Sequence, residues 1–87
     1  MSLDAIRDFV IREFLPGQDP ATLGPDVPLV SSGVIDSVGT LKLVLFLEET
    51  YGVEIDAADI DGGNLDTLAR IVALIEAKRS AAPVPAG

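Results

Sequence analysis

Residues 33–52 read GVIDSVGTLKLVLFLEETYG, and they predict the central helix of the fold. Asp36 or Ser37 can cap its start, because short polar side chains accept hydrogen bonds from the unpaired N–H groups of a first helical turn. Gly52 is suited to end it, because glycine readily adopts the left-handed conformation that closes many helices. The sequence therefore predicts a helix from Ser37 to about Tyr51.

The predicted central helix carries apolar residues on two sides. At about 100° per residue, one side forms a core stripe of Thr40, Leu43, Val44, Leu47 and Tyr51. The opposite side carries Val38, Leu41 and Leu45, with the charged residues Lys42, Glu48 and Glu49 beside them. A helix of a small bundle needs only one buried stripe. The second face is therefore covered by a long loop, exposed as a docking surface with a charged rim, or divided between the two, with Val38 covered and Leu45 open.

Helices elsewhere in the chain complete the fold prediction. The first is expected from Ser2, its N-cap, to Phe14, and the last from about Leu65 to Arg79, because apolar residues recur there with helical spacing. Asp56 can cap one short helix between the central and last helices. The predicted fold class is all-α: a small bundle of three main helices plus one short helix, with a long loop between the first and second main helices.

That loop covers residues 15–36, and its four prolines exclude a continuous helix. Asp19 and Pro20 can start a single helical turn within it. We expect its apolar residues to pack along the bundle: Leu23, Val27, Leu29, Val34 and Ile35. We expect one domain, residues 1–80, followed by a disordered tail, residues 81–87, that is rich in alanine and proline.

Composition excludes several classes of function. The 87 residues include no Cys, His or Trp, so disulfides, thiolate or imidazole catalysis and Cys- or His-ligated metals are excluded. The formal net charge of −8 disfavours nucleic acid as a partner. Residues 26–66 hold nine of the acidic residues and one base, Lys42. This acidic middle either attracts basic patches on partner proteins or serves solubility alone.

Neither a membrane span nor a secretion signal is indicated by the sequence. Its apolar runs are shorter than the roughly 18–20 residues that span a bilayer. Its first residues lack the basic and apolar regions of a secretion signal. We therefore expect a cytoplasmic monomer that has neither a membrane nor a nucleic acid as a partner.

Ser37 stands at the start of the central helix without catalytic residues around it. The unpaired N–H groups and partial positive charge of a helix N-terminus suit a phosphate joined to this side chain. The local sequence alone nevertheless favours an ordinary N-cap. Nucleophilic catalysis fits poorly, because the chain has no His base and Lys42 lies on another face of the helix. These residues therefore give no support to a catalytic role for Ser37.

Several ordered segments carry a family resemblance: Asp26-Val27-Pro28-Leu29, Gly33-Val34-Ile35-Asp36-Ser37-Val38, Leu41-Lys42-Leu43-Val44, Tyr51-Gly52-Val53-Glu54-Ile55 and Leu65-Asp66-Thr67-Leu68. In this order they resemble the carrier-protein family, the acyl carrier and peptidyl carrier proteins of fatty acid, polyketide and nonribosomal peptide synthesis. The resemblance extends from about Leu3 to Arg79.

The resemblance implies a function for Ser37 as the attachment point of 4′-phosphopantetheine, with Asp36 beside it. A phosphopantetheinyl transferase would add the group from coenzyme A, and its thiol would hold an acyl or aminoacyl group as a thioester. The further implied partners are an acyl- or aminoacyl-loading enzyme and downstream synthase enzymes. The resemblance thus implies a substrate carrier that is not itself an enzyme. On this interpretation partners dock on the second face of the central helix, through Val38, Leu41, Lys42, Leu45, Glu48 and Glu49.

Two residues depart from the pattern of fatty-acid carriers. Gly39 and Lys42 stand where many of those proteins have acidic residues, while residues 60–65 look more like discrete peptidyl or aminoacyl carriers. We therefore expect a discrete carrier of polyketide- or nonribosomal-peptide-type specialised metabolism. The alternatives are an acyl carrier protein of fatty acid synthesis and, in another class, a helical adaptor whose Ser37 is never modified.

Overall fold

The chain forms a bundle of α-helices in a computed structural model, which describes residues 3–80. The helices are α1 (Leu3–Phe14), α2 (Ser37–Tyr51), α3 (Ala57–Asp61) and α4 (Leu68–Ser80), with a short 3-10 helix at Pro20–Thr22. Three long helices, one short helix and no strand in this range confirm the predicted all-α class. The predicted cap at Ser2 and the predicted tail, residues 81–87, lie outside the described residues.

A single hydrophobic core joins the three long helices and the loop between α1 and α2. The most deeply buried side chains are Ile6, Val10, Leu29, Ile35, Leu43, Leu47, Leu65, Leu68, Ile71 and Ile75. Each such aliphatic side chain contributes about 1.5–3 kcal/mol through removal from water. Leu29 and Ile35 show that the loop packs along the bundle as predicted, whereas Val27 is exposed and does not act as an anchor.

Both ends of α2 are set by the residues that the sequence singles out. Asp36 is the N-cap, and its Oδ1 accepts a hydrogen bond from the Gly39 N–H at 2.7 Å. Gly52 ends the helix in the left-handed region, with φ of 66°, and its N–H donates to the Glu48 carbonyl. The predicted bounds of α2 are therefore confirmed at both ends.

All four aromatic residues of the chain form one cluster between α1 and α2. Phe9 stacks on Phe46 with 4.0 Å between ring centroids, while Phe14 and Tyr51 meet this pair edge-on. Burial raises the pKa of the Tyr51 hydroxyl above its usual value, and the nearby charge of Arg79 partly opposes this shift. The cluster fixes α2 against α1 and leaves the opposite side of α2 open.

The last helix begins at Leu68, so the prediction that it starts near Leu65 is wrong. Thr67 caps it instead, with its Oγ1 accepting from the Arg70 N–H at 3.1 Å. The preceding Asp66 is held outside the helix by hydrogen bonds to the distant α1–α2 loop. Near its other end, α4 is tied to α3 by an ion pair between Lys78 and Asp59. Within residues 3–80, no helix has both the length and the apolar character needed to cross a membrane.

Candidate functional site

Ser37 is the first residue of α2, and its side chain is exposed. Asp36 satisfies the N–H of Gly39, and the N–H groups of Ser37 and Val38 donate to no acceptor among residues 3–80. Unpaired N–H groups at a helix start, with the positive end of the helix dipole, favour an anion attached there. The site thus offers an accessible hydroxyl in a field that suits a phosphodiester.

A continuous apolar surface starts beside Ser37 and follows α2. Val38, Leu41 and Leu45 are 63%, 62% and 57% exposed, and their spacing of three and four residues places them on one face of the helix. The alternative that the long loop covers this face is therefore wrong. We call these three residues the exposed α2 face. Its exposure is unusual, because small domains bury most of their large aliphatic side chains.

Charged residues beside the exposed α2 face have different surroundings. Lys42 and Glu49 are exposed, and Lys42 takes part in neither of the two ion pairs found among residues 3–80. Glu48 is half-buried, and its Oε2 accepts from the Ile55 N–H at 2.9 Å. Glu48 therefore already has a structural role in fixing the segment between α2 and α3, which the sequence prediction of a rim residue did not include.

A carboxylate that the sequence prediction did not single out holds the loop that leads to Ser37. Asp66 Oδ1 accepts from the N–H groups of Val30 at 2.9 Å and Ser31 at 2.8 Å, and more weakly from Leu29 at 3.3 Å. Its Oδ2 accepts from the Ser31 hydroxyl at 2.9 Å. Hydrogen bonds from the Ser31 backbone and hydroxyl are the main reason that the pKa of Asp66 lies below its usual value. Asp66 is therefore a charged clamp on this loop.

A shallow groove of about 390 Å³ opens between this loop, α2 and the segment before α4. Thr40 contributes the α2 side of the groove, one helical turn beyond Ser37, while Val30, Ile60 and Leu65 are its large apolar residues. Asp61 and Asp66 add carboxylates at the same groove. The groove and the exposed α2 face thus each begin on α2 within one turn of Ser37, at Thr40 and Val38.

Comparison with known proteins identifies the class to which this fold and site correspond. The family described as "Phosphopantetheine attachment site" matches residues 10–75, which is more than half of the chain. The chain therefore belongs to this family, the phosphopantetheine carrier proteins. Carrier proteins of this family are not enzymes, and they hold a substrate on a covalently attached 4′-phosphopantetheine. A phosphopantetheinyl transferase adds this group, and a loading enzyme attaches the substrate to it.

The chain is similar in sequence to several D-alanyl carrier proteins, which are free-standing carriers. It is 35% identical over 78 residues to the D-alanyl carrier protein of Lacticaseibacillus casei (strain BL23), covering 87% of this chain and 96% of the relative. It is 33% identical over 78 residues to that of Lacticaseibacillus rhamnosus, with the same coverage. It is 36% identical over 62 residues to D-alanyl carrier protein 1 of Lactiplantibacillus plantarum, covering 71% of this chain and 76% of the relative.

The residues present fit the prosthetic group of the family. A phosphodiester needs an accessible oxygen, which Ser37 supplies, and its negative charge would lie close to the unpaired N–H groups of Ser37 and Val38. Asp36 has its carboxylate turned to the Gly39 N–H, so it stabilises the helix start beside the attachment position. The names of these relatives do not refer to polyketide or nonribosomal peptide synthesis, which the sequence analysis expected, or to fatty acid synthesis, its alternative.

Proposed function

We propose that Ser37 is the residue that receives 4′-phosphopantetheine. The observation that carries this proposal is its exposed hydroxyl at the first position of α2, inside the matched family segment. In the reaction, the Ser37 oxygen attacks a phosphorus of the coenzyme A pyrophosphate. A phosphodiester to Ser37 forms, and adenosine 3′,5′-bisphosphate leaves. The hydroxyl proton passes to a base of the transferase, since this chain has no His to take it.

The cargo that we propose is an amino acid, D-alanine. Support comes from the names of the relatives, D-alanyl carrier proteins, which align along nearly their whole length in two cases. The bound group supplies a thiol on a flexible arm, which holds the amino acid as a thioester. The chain itself contains no Cys, so it offers no competing thiol. We place this work in the cytoplasm, where coenzyme A, the donor of the group, is available.

The loading enzyme is proposed to dock on the exposed α2 face. Its active site must reach the arm on Ser37, and Val38 and Leu41 lie directly beside that residue. Leu45 would fill an apolar pocket of the enzyme, as a central anchor surrounded by polar contacts. Lys42 would face an acidic residue of the enzyme and Glu49 a basic one, while Glu48 would contribute only from the edge because Ile55 already engages it.

Intact-mass measurement after incubation with coenzyme A and a broad-specificity transferase tests the attachment. We expect one phosphopantetheine per chain, and none on the Ser37→Ala variant. Thr50→Ala is the matched control, since it removes another exposed hydroxyl from α2, at the end of the helix away from Ser37. Modification that persists in the Ser37→Ala variant, or an unmodified wild-type chain, would contradict the proposal. The second result would favour the unmodified adaptor instead.

A cargo panel tests the amino acid. The holo-protein is presented to a D-alanine-activating enzyme and, separately, to enzymes that load L-amino acids, malonyl groups and fatty acyl groups. We expect the D-alanyl thioester to form at least about tenfold faster than the others, because discrimination among loading partners rests on matched docking surfaces. Preferential loading with an acyl group would assign the chain to polyketide or fatty acid synthesis.

A further inference from the structure

The loop of residues 28–36 is held at one end by Asp66 and at the other by the start of α2. At the Asp66 end, the carboxylate engages three successive residues from Leu29 to Ser31, and the Asp66 carbonyl oxygen also accepts from the Leu29 N–H at 2.7 Å. The loop is thus fastened to the segment before α4 by backbone as well as side-chain hydrogen bonds.

The same loop is closed on itself just before Ser37. The Ile35 N–H donates to the Leu29 carbonyl at 2.9 Å, and the Ser32 hydroxyl donates to the Pro28 carbonyl at 2.7 Å. Leu29 and Ile35 are almost wholly buried, so neither end of this closed loop can shift without disturbing the core. The backbone of Leu29 is therefore hydrogen-bonded both to Asp66 and to Ile35. Ile35 in turn lies two residues before Ser37.

We propose that Asp66 is a positioning residue for the modification of Ser37. This inference rests on the proposed function of Ser37 as the attachment residue. Asp66 does not act on the reacting atoms, because its two carboxylate oxygens face the residues from Leu29 to Ser31. It sets the position of the loop, and through Ile35 and Asp36 it sets the position from which the Ser37 hydroxyl is presented to the transferase.

The charge of Asp66 is the property that this role requires. Hydrogen bonds to an ionised carboxylate are shorter and stronger than those between neutral groups, and one carboxylate can accept several of them. Substitution by Asn keeps one acceptor oxygen but removes the charge, while substitution by Ala removes every side-chain acceptor. The series Asp, Asn, Ala therefore loosens the loop in steps.

Transferase kinetics on the full chain, with the carrier as the varied substrate, test the proposal. We expect kcat to fall about tenfold for Asp66→Ala and less for Asp66→Asn, because a small displacement of a reacting group is costly in rate. KM should stay within about twofold, because the exposed α2 face still docks. Amide NMR signals of residues 29–37 should shift in both variants.

Two matched controls separate positioning from a general loss of stability. Asp61→Asn removes a carboxylate from the same groove, and none of the side-chain hydrogen bonds found among residues 3–80 involves the Asp61 carboxylate. Lys78→Met breaks the ion pair between α3 and α4 without touching the 28–36 loop. Both controls should keep the wild-type kcat. A smaller folded fraction alone would raise the apparent KM and leave kcat unchanged.

The outcomes distinguish this inference from the function on which it rests. Folded Asp66→Asn and Asp66→Ala chains with wild-type kcat would overturn the positioning role alone, as would an equal fall in kcat for Lys78→Met. If Asp66→Ala does not fold, Asp66→Asn decides the question. Wild-type protein that is not modified at Ser37 would instead overturn the proposed function, and the inference with it.

Discussion

The ring of Phe14 lies over Gly39, so close that a β-carbon on residue 39 would stand 2.6 Å from the ring atom Cε1. The same β-carbon would lie 3.1 Å from Oδ1 of Asp36, the oxygen that caps α2. A side chain at position 39 therefore requires the Phe14 ring or the backbone to shift. The glycine at this position therefore has a packing explanation within this chain.

Replacing Gly39 by Ala should destabilise the protein by about 1–3 kcal/mol, because overpacking forces side chains and backbone to shift. The sign of this change in stability is informative, because Gly→Ala inside an unobstructed helix normally stabilises a protein by roughly 0.5–1 kcal/mol. Urea unfolding measures the difference, and adding Phe14→Leu should recover part of it. A Gly39→Ala variant as stable as the wild type would show that the Phe14 ring can move aside freely.

Leu45 and Leu47 should respond differently to truncation, although they are two residues apart. Leu47 is fully buried, so Leu47→Ala should cost about 2–4 kcal/mol of stability. Leu45→Ala should change stability by less than about 0.5 kcal/mol, as an exposed substitution, yet weaken docking of the loading enzyme by about 1–3 kcal/mol. Unfolding curves and loading rates measured on both variants check this. Equal destabilisation of the two variants would contradict the two-faced α2.

Lys42→Glu should impair loading by the cognate enzyme and improve recognition by fatty-acid enzymes, because it reverses the one basic charge beside the exposed α2 face. The effect should lie mainly in the association rate and weaken with added salt. Arg70→Glu makes the same change of charge at an exposed position on α4. It should leave the rates with the cognate loading enzyme and with the fatty-acid enzymes unchanged. Unchanged rates with both enzymes for Lys42→Glu would remove Lys42 from partner choice.

Acid should weaken the clamp formed by Asp66. Its pKa is lowered in the folded state, from an ordinary value of 3.8, so its contribution to stability is present above that value. That contribution is lost as the pH falls through the lower folded pKa. The melting temperature of wild type should therefore exceed that of Asp66→Asn at pH 7, and the gap should narrow in acid. A gap that is independent of pH would show that the charge of Asp66 is immaterial to the fold.

Salt should raise the melting temperature of this protein at neutral pH. Residues 26–66 concentrate nine acidic residues against one base, and like charges repel more in the compact state than in the extended chain. Added monovalent salt screens this repulsion, and a millimolar divalent cation should do so at lower concentration. Thermal unfolding followed by circular dichroism checks both. A melting temperature that responds to neither would show that the repulsion is too weak to matter.

Features of α2 could be predicted from the sequence because neighbouring residues determine them. Asp36 caps a helix that starts one residue later, and Gly52 follows its last turn. The two apolar faces follow from the 3.6-residue period, which placed Leu45 on the second face and Leu47 on the core stripe, and Leu47 is indeed buried. What covers a face is a tertiary property, so its exposure could not be decided until the position of the long loop was known.

Hydrogen bonds between distant residues account for what the sequence interpretation missed. The sequence pattern places Asp66 in the first turn of the last helix, but its hydrogen-bond partners lie 35 to 37 positions earlier in the chain. Glu48 reads as a surface charge on α2, and only the path of the chain beyond Gly52 brings the Ile55 N–H to it. Local periodicity describes neither relationship, because each depends on how the loops return to the helices.

The long-range clamp at Asp66 also has a consequence for the order of folding. Capped locally by Asp36, α2 can form early, whereas the 28–36 loop can reach its final state only after the segment before α4 has docked. Closing so long a stretch of chain is entropically costly and is normally late. We therefore expect Asp66→Asn to accelerate unfolding while leaving the refolding rate nearly unchanged, which stopped-flow measurements can determine. Ser37 would then acquire its functional surroundings in the last step of folding, after the helix that carries it already exists.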